Sequence, residues 1–248
     1  MKGQVVVITG ASGGIGAALA RLLGSRGASL SLIARRELEL RAVAGQCGDQ
    51  ALAIVGDATI RGDVRSAVDE TLAKFGKIDV WVNNAGQGLT CPPSQLTEQD
   101  IDEMMRVNVK SALYGTQEVL EHFKNRNSGH IINISSMLGR IPHAIQRSAY
   151  NGAKHFLNAL TANFRAEIQQ THRGIQFSLV SPGVVRTEFG KHARHGGPDS
   201  HQLPDSQGAD EVALIIAGVI DSRVPDVYTR TGAQDRVVRY FTGLGIDP

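Results

Sequence analysis

Neither sign of charge dominates this sequence: 26 lysines and arginines against 24 acidic residues leave a formal net charge of +2. That balance argues against a nucleic-acid or anionic membrane surface as partner. Only two cysteines are present, Cys47 and Cys91. They cannot make a disulfide framework, and they suit a reducing compartment as small packed side chains. No long apolar run exists either. The longest, Val212 to Ile220, falls far short of the ~20 residues that span a bilayer and reads as a buried helix face. The first residues, Met1-Lys2-Gly3, lead straight into Val5-Val6-Val7-Ile8 without a leader pattern, so the expected location is cytoplasmic. Linker-like composition shifts, internal repeats and low-complexity tracts are also missing.

What is present is ordinary for a globule with a sizeable core: 248 residues, 42% hydrophobic and 20% charged. Strand-like apolar runs at 4–9, 29–34, 51–56, 78–82, 130–134, 175–180 and 224–229 alternate with helix-length patterns near 15–26, 36–46, 61–75, 98–126, 148–171 and 208–221. Such alternation predicts an α/β chain: a single-domain, Rossmann-type, doubly wound sheet of about seven parallel strands with helices on both faces. The domain is expected to take in all of 1–248. The stretch 189–207, with Gly196, Gly197, Pro198 and Pro204 and few apolar residues, is expected to be a long loop or lid.

Several strand ends carry chemistry. Thr9-Gly10-Ala11-Ser12-Gly13-Gly14-Ile15-Gly16 follows the first strand and opens a helix. Glycines there let the backbone approach a pyrophosphate, whose charge suits the helix N-terminus. The second strand ends Ala34-Arg35-Arg36, where NAD-binding domains usually carry an acid for the ribose 2′-hydroxyl. A basic residue accommodates a 2′-phosphate instead, and Arg35 can grip it as a bidentate fork. NADP(H) is therefore the expected cofactor. Glu37, the nearest acid, keeps NAD(H) as the lesser option. Asp57-Ala58 and Asn83-Asn84-Ala85-Gly86 end the third and fourth strands, where open parallel sheets bind ligands; Asp57 could bond the adenine amino group.

Tyr150 and Lys154 lie four apart at the start of an apolar-periodic run, so a helix would aim both at one point. A free phenol, with pKa near ~10, is too weak a base for neutral pH. Two charges ~4 Å apart at an effective dielectric of ~20 interact by about 4 kcal/mol, so a held ammonium could lower the phenol by two or three units. The pair would then act as a general acid/base on an alcohol oxygen.

Taken together and in order, these motifs resemble a classical short-chain dehydrogenase/reductase over about residues 4–190. Asn108, Ile132-Asn133-Ile134-Ser135-Ser136 and Ser181-Pro182-Gly183 with Thr187 complete the set. The resemblance implies that Ser136, rather than Ser135, holds the substrate oxygen, because Met137-Leu138-Gly139 follows it as in the family. It implies Tyr150 as acid/base and Lys154 as binder of the nicotinamide ribose and modulator of Tyr150. Asn108, at a backbone kink, would complete a proton relay. It implies Pro182, Gly183, Val185 and Thr187 at the nicotinamide, and Ser12, Gly13, Asn84, Ala85 and Gly86 along the dinucleotide. Ser136 and Tyr150 stand one residue further apart than is commonest in the family. The extra residue falls in 140–147, a pocket-lining segment, and bears on substrate choice.

The implied activity is an oxidoreductase interconverting a carbonyl and a secondary alcohol. A silent nucleotide-binding regulator is the competing reading, opposed by the intact Asn108, Ser136, Tyr150 and Lys154. A longer epimerase-like relative is opposed by the short stretch after Thr187. Aromatic content of 5% and positions Gln87, His143 and Ile145 define nothing narrower than a small or medium carbonyl or alcohol partner. His192, His195 and His201 in the lid are expected to be solvated rather than metal-binding. Met104 and Met105 are expected to be packing residues. Apolar residues on several sides of the 98–126 and 148–171 helices imply, through the resemblance, a homodimer or homotetramer.

Overall fold

A computed structural model of the chain describes residues 1–244. From the N-terminus, β1 (Val5–Thr9), α1 (Gly14–Ser25), β2 (Ser29–Ala34), α2 (Glu37–Gln46), β3 (Ala51–Val55) and α3 (Arg61–Phe75) alternate. There follow β4 (Val80–Asn83), α4 (Glu98–Met105), α5 (Ser111–Arg126), β5 (Gly129–Ile134), α6 (Ser148–Gln169) and β6 (Ile175–Ser181). The final part holds β7 (Val185–Arg186), β8 (Gln207–Gly208), α7 (Ala209–Ser222), β9 (Asp226–Tyr228) and α8 (Ala233–Thr242).

Seven parallel strands form one sheet in the order β3-β2-β1-β4-β5-β6-β9. Parallel neighbours need crossovers, and the helices supply them. The strands read as continuous apolar runs because both faces are covered. Along β1, Val6 and Ile8 point into the core shared with Leu19, Leu23 and Ile216. Val7, between them, packs on the opposite face with Trp81, Phe123 and Phe177. β1 pairs with β2 on one side and β4 on the other. The chain leaves β1 in one direction and returns to continue in the other, so the segments after β1 and β4 part and leave a crevice at the carboxyl ends of the strands.

Three features depart from the sequence pattern. The region expected as one helix over 98–126 is interrupted by a π-helical turn, Arg106–Lys110, where the Ser111 hydroxyl bonds the Val107 carbonyl at 2.6 Å. The expected strand at 224–229 is narrower, Asp226–Tyr228, because only three residues pair with β6. The pair β7–β8 (Val185↔Gln207, Arg186↔Gly208) and helix α8 have no counterpart in the pattern. Two-residue strands are too short to show a period. The β7–β8 pair spans the base of the lid, which otherwise lacks strand or helix between Thr187 and Ser206.

Among the described residues, no helix is long and apolar enough to cross a membrane. Cys47 and Cys91 are both buried and free.

Candidate active site

The floor of the crevice is stitched by Thr9. Its hydroxyl donates to the Val82 carbonyl at 3.3 Å and accepts from the amides of Asn84 and Ala85 at 3.0 and 3.1 Å. The Asn84 amide group donates back to the Thr9 carbonyl at 3.0 Å. Gly10 turns with φ +68°, and a Cβ there would stand 2.9 Å from Ala85 Cα, so only glycine fits this approach. At Gly16 a Cβ would come within 2.5 Å of the Gly10 carbonyl oxygen. Ile15 is partly buried against the core beneath the turn.

Helix α1 begins after Gly13 with no side-chain cap and no acid in its first turn. Its first amides thus keep their donor capacity for an anion. Arg36 reaches over this turn: Nε and Nη2 donate to the Ser12 hydroxyl at 3.2 and 3.1 Å. A Cβ on Gly13 would lie 2.9 Å from Arg36 Nη2. Arg35, the residue favoured from sequence for a 2′-phosphate, points instead toward Asp57, with Nη1 3.7 Å from Oδ2. Arg36 is therefore the arginine nearer the glycine turn. Asp57 also accepts from the Thr59 amide and hydroxyl at 2.9 and 2.8 Å and lies 3.9 Å from Arg106. Burial works to raise its pKa, but Thr59 and the two arginines outweigh it and hold the carboxyl below its usual value. Ala58 is buried beside it.

At the other end, β6 delivers Pro182, whose carbonyl accepts from the Met137 amide at 2.8 Å. Val185 is buried in β7, and Thr187 comes back to the glycine turn: a Cβ on Gly14 would stand 3.3 Å from Thr187 Cγ2. Gly183 packs against Arg230. The two ends of the expected dinucleotide site are thus neighbours in space. Uncapped amides, a glycine turn without acids and a bordering arginine fit a pyrophosphate-bearing dinucleotide.

The four expected catalytic side chains lie near one another at the strand ends. The Ser136 hydroxyl accepts from the Leu138 amide at 3.1 Å and favours ionisation of the Tyr150 phenol through a hydrogen bond. Ser135, its competitor, is committed to Asn158 at 2.5 Å, and Asn158 in turn holds the Gly139 carbonyl at 2.6 Å. Asn108, in the π turn, pairs with the Gln87 backbone, donating to its carbonyl at 2.9 Å and accepting from its amide at 3.2 Å. A Cβ on Gly86 would lie 3.0 Å from Asn108 Oδ1 and 3.6 Å from Lys154 Nζ, so those two polar atoms converge.

One electrostatic expectation needs correction. Lys154 does not lower the phenol here; its ammonium donates to the Ile134 carbonyl at 3.0 Å. Burial pushes Tyr150 up to about 12, against weaker pulls from Ser136 and the Arg147 charge. Burial likewise lowers Lys154 to about 8. Desolvation is the dominant influence on each group.

Sequence reasoning missed Phe189, Arg194 and Arg147, and it expected His195 to be solvated, whereas that side chain is engaged by the buried Asp100. Phe189 of the lid packs edge-on against Tyr150, with ring centroids 5.8 Å apart. Arg194 and His195 both bond the Asp100 carboxylate, His195 Nε2 at 2.7 Å, which ties the lid to the start of α4. The same carboxylate completes the Thr97 capping box, and that box was readable as Thr-x-x-Asp before an amphipathic run. Arg147, at the N-terminal end of α6, donates from Nη1 to the Leu89 carbonyl at 3.0 Å. Of the positions expected to choose substrate, Gln87 touches the lid at the His192 carbonyl, 3.4 Å away. Ile145 is 69% exposed, along a shallow groove with Pro93, Pro142 and His155.

Residues 4–197 match the family described as short chain dehydrogenase. An uncharacterized oxidoreductase of Staphylococcus epidermidis is 34% identical over 187 residues, 75% of this chain and 80% of that protein. An alcohol dehydrogenase from the archaeon Thermococcus sibiricus, solved with 5-hydroxy-NADP, superposes with TM-score 0.79 at 28% identity, covering 91% of this chain and 95% of that one. A 3-ketoacyl-(acyl-carrier-protein) reductase from Brucella melitensis, solved with NADH, gives 0.82 at 26% identity over 92% of this chain and 98% of that one.

Proposed function

This chain belongs to the short-chain dehydrogenase family, and from that premise we propose that it interconverts a carbonyl and a secondary alcohol with NADP(H). It is an oxidoreductase acting on CH–OH donors, built on a nucleotide-binding Rossmann-type fold. Relatives of known structure hold either NADH or an NADP derivative, so a nicotinamide cofactor is common ground and the phosphate is the finer point.

The observation that favours the phosphate is the basic end of β2. Ala34 stands where an acid would select the ribose 2′-hydroxyl, and Arg36 leans over Ser12 beside the glycine turn. Glu37, the nearest acid that could serve NAD, is engaged by Arg41 at 2.8 Å.

In this reading Gly10, Gly14 and Gly16 seat the pyrophosphate, Arg36 and Arg35 take the 2′-phosphate, and Asp57 meets the adenine. Asn84, Ala85 and Gly86 flank the ribose, while Pro182, Gly183, Val185 and Thr187 hold the nicotinamide end. Bound there, the nicotinamide supplies or accepts the hydride. Ser136 holds the substrate oxygen and stabilises charge developing on it. Tyr150, whose phenol keeps its proton at neutral pH, delivers that proton to the oxygen during reduction. Lys154 and Asn108, converging at Gly86, pass a replacement proton inward. The family resemblance supports action as a homodimer or homotetramer, and the two free, buried cysteines suit a cytoplasmic location.

The test is reduced-nicotinamide absorbance on a panel of ketones, aldehydes and alcohols, run with both cofactors. Turnover with a higher kcat/KM for NADPH than for NADH is expected. A preference for NADH would overturn the cofactor assignment, and a folded protein inactive across the panel would favour the silent-regulator reading.

A further inference from the structure

Arg147 is half-buried, yet among the described residues no carboxylate lies within ion-pair reach of it. Its recorded hydrogen bond is the one from Nη1 to the Leu89 carbonyl. Burial draws its pKa below the usual arginine value, which reflects the cost of keeping the charge there without a counter-ion. A guanidinium presents five donors in a fixed fork, so one carbonyl leaves most of that capacity unused.

Its surroundings place it at the reaction chamber. Arg147 precedes Tyr150 by three residues at the start of α6, on the same side of the helix. Its charge is felt at the phenol. A point above Gly88 lies 2.9 Å from Arg147 Nη1 and 3.0 Å from Phe189 Cε1, and Phe189 is the ring set edge-on to Tyr150. Nη2 faces the lid: a point above Gly197 is 3.1 Å from it, 3.0 Å from the Thr90 hydroxyl and 2.5 Å from the Gly190 carbonyl oxygen, so the lid backbone covers this corner. That hydroxyl is itself buried without a hydrogen-bond partner among the described residues. A cation without a counter-ion and an unpartnered hydroxyl therefore meet at one corner beneath the lid, which a ligand would reach by displacing the 190–197 backbone.

We propose that Arg147, with Thr90 beside it, binds a carboxylate on the substrate, so that the carbonyl compounds taken by this site are oxo acids. A planar carboxylate matches the free edge of the guanidinium and can accept from the Thr90 hydroxyl as well. A phosphate dianion fits less well, since Arg147 offers a single positive charge. The carboxylate would bind with its carbonyl carbon held toward Tyr150 and Ser136, the unreactive end supplying orientation. This assignment rests on the oxidoreductase reading for its chemistry, although the binding itself does not depend on turnover.

The experiment compares 4-oxopentanoate and 3-oxobutanoate with their methyl esters as substrates, in the wild type, Arg147→Gln and Arg147→Lys. Calorimetry of pentanoate and pentanamide on NADP-loaded protein runs alongside. The acids should exceed the esters in kcat/KM by on the order of 10- to 100-fold, and Arg147→Gln should bring the ratio toward one, with Arg147→Lys between. Pentanoate should bind the wild type, and binding should weaken by a similar factor in Arg147→Gln, while pentanamide binds neither well. If Arg147 only anchors the Leu89 loop, both substrates lose equally and the ratio stays fixed, which overturns the proposal. Esters matching acids in the wild type would overturn it too. If no compound is turned over but pentanoate binds through Arg147, the carboxylate site stands and the reaction reading falls. If pentanoate fails to bind the wild type, the carboxylate site falls whatever is turned over.

Discussion

The Lys154 ammonium lies 5.7 Å from the centre of the Tyr150 ring but spends its hydrogen bond on the Ile134 carbonyl. Both side chains are buried, at 4% and 7% exposure. Burial favours the uncharged form of each: the phenol holds its proton up to about 12, and the ammonium releases its own at about 8. The lysine is thus a proton donor poised near neutral pH, close to the phenol that the proposed mechanism must reload after each reduction.

The lysine leaves a mark on stability. Its folded pKa of about 8 lies below the ordinary 10.5, so between those values the unfolded chain binds more protons. Stability from this group therefore rises with pH across that window and is at its poorest below about 8. Urea unfolding at pH 7.5 and 10 should show the wild type gaining on the order of 2 kcal/mol relative to Lys154→Met. Parallel profiles for the two proteins would show that the ammonium is not desolvated.

Removing only the phenolic oxygen should separate chemistry from binding. Tyr150→Phe keeps the ring against Phe189, so the fold and the cofactor affinity should survive. Turnover should fall by roughly 10²- to 10⁴-fold, the range of general acid/base contributions. Steady-state rates with NADPH fluorescence titration check both halves, and near-full activity would exclude Tyr150 as the acid.

The serine pair should divide by function. Ser136→Ala should cost roughly 10²- to 10³-fold in kcat with little change in melting. Ser135→Ala leaves Asn158 short of a partner and should destabilise by about 1–3 kcal/mol while keeping the chemistry. The reverse pattern would make Ser135 the residue at the substrate.

Arg36→Ala should weaken NADPH by on the order of 10- to 100-fold and NADH far less, measured by fluorescence titration. Arg35→Ala should have a smaller effect of the same kind, because its guanidinium stands by Asp57 at 68% side-chain exposure. Undiminished NADPH affinity in the double variant would remove the phosphate assignment.

Asp100 ties two parts of the chain at once. Its carboxyl is held well below the ordinary range, chiefly by Arg194; burial works against this, and Thr97 and His195 add to the lowering. A depressed carboxyl keeps its contribution above the ordinary pKa of 3.8 and loses it only as pH falls through the lower folded value, so the tether should hold in mildly acid solution. Asp100→Ala should free the lid, and limited proteolysis within 189–207 should accelerate by about tenfold or more. Unchanged cleavage would mean that the β7–β8 pair alone retains the segment.

Much of this was legible from residues alone, for identifiable reasons. Long strands buried on both faces, such as Ser29–Ala34 and Ile175–Ser181, write themselves as apolar runs, and the glycine turn is tied to its neighbours by backbone geometry that only certain residues allow. What stayed hidden depends on contacts between distant segments. Asp100 meets Arg194 and His195 across more than ninety positions, and Phe189 reaches Tyr150 from a loop without periodicity. The sign of the Tyr150 shift also depends on how deeply α6 is covered, which spacing along a helix cannot reveal. The π turn at Arg106–Lys110 adds one residue to a helix without altering its composition, so the apolar pattern runs through it unbroken.

The short parallel pair Val185↔Gln207 joins the two feet of the lid. A segment anchored in this way behaves as a separate excursion: lengthening it raises closure entropy only logarithmically, and nothing inside it is threaded through the sheet. Residues past Thr187 that make no contact outside the lid can be exchanged, extended or shortened while the nucleotide scaffold folds as before. A change of molecular diet would then require rewriting about twenty positions and leave the remaining architecture untouched.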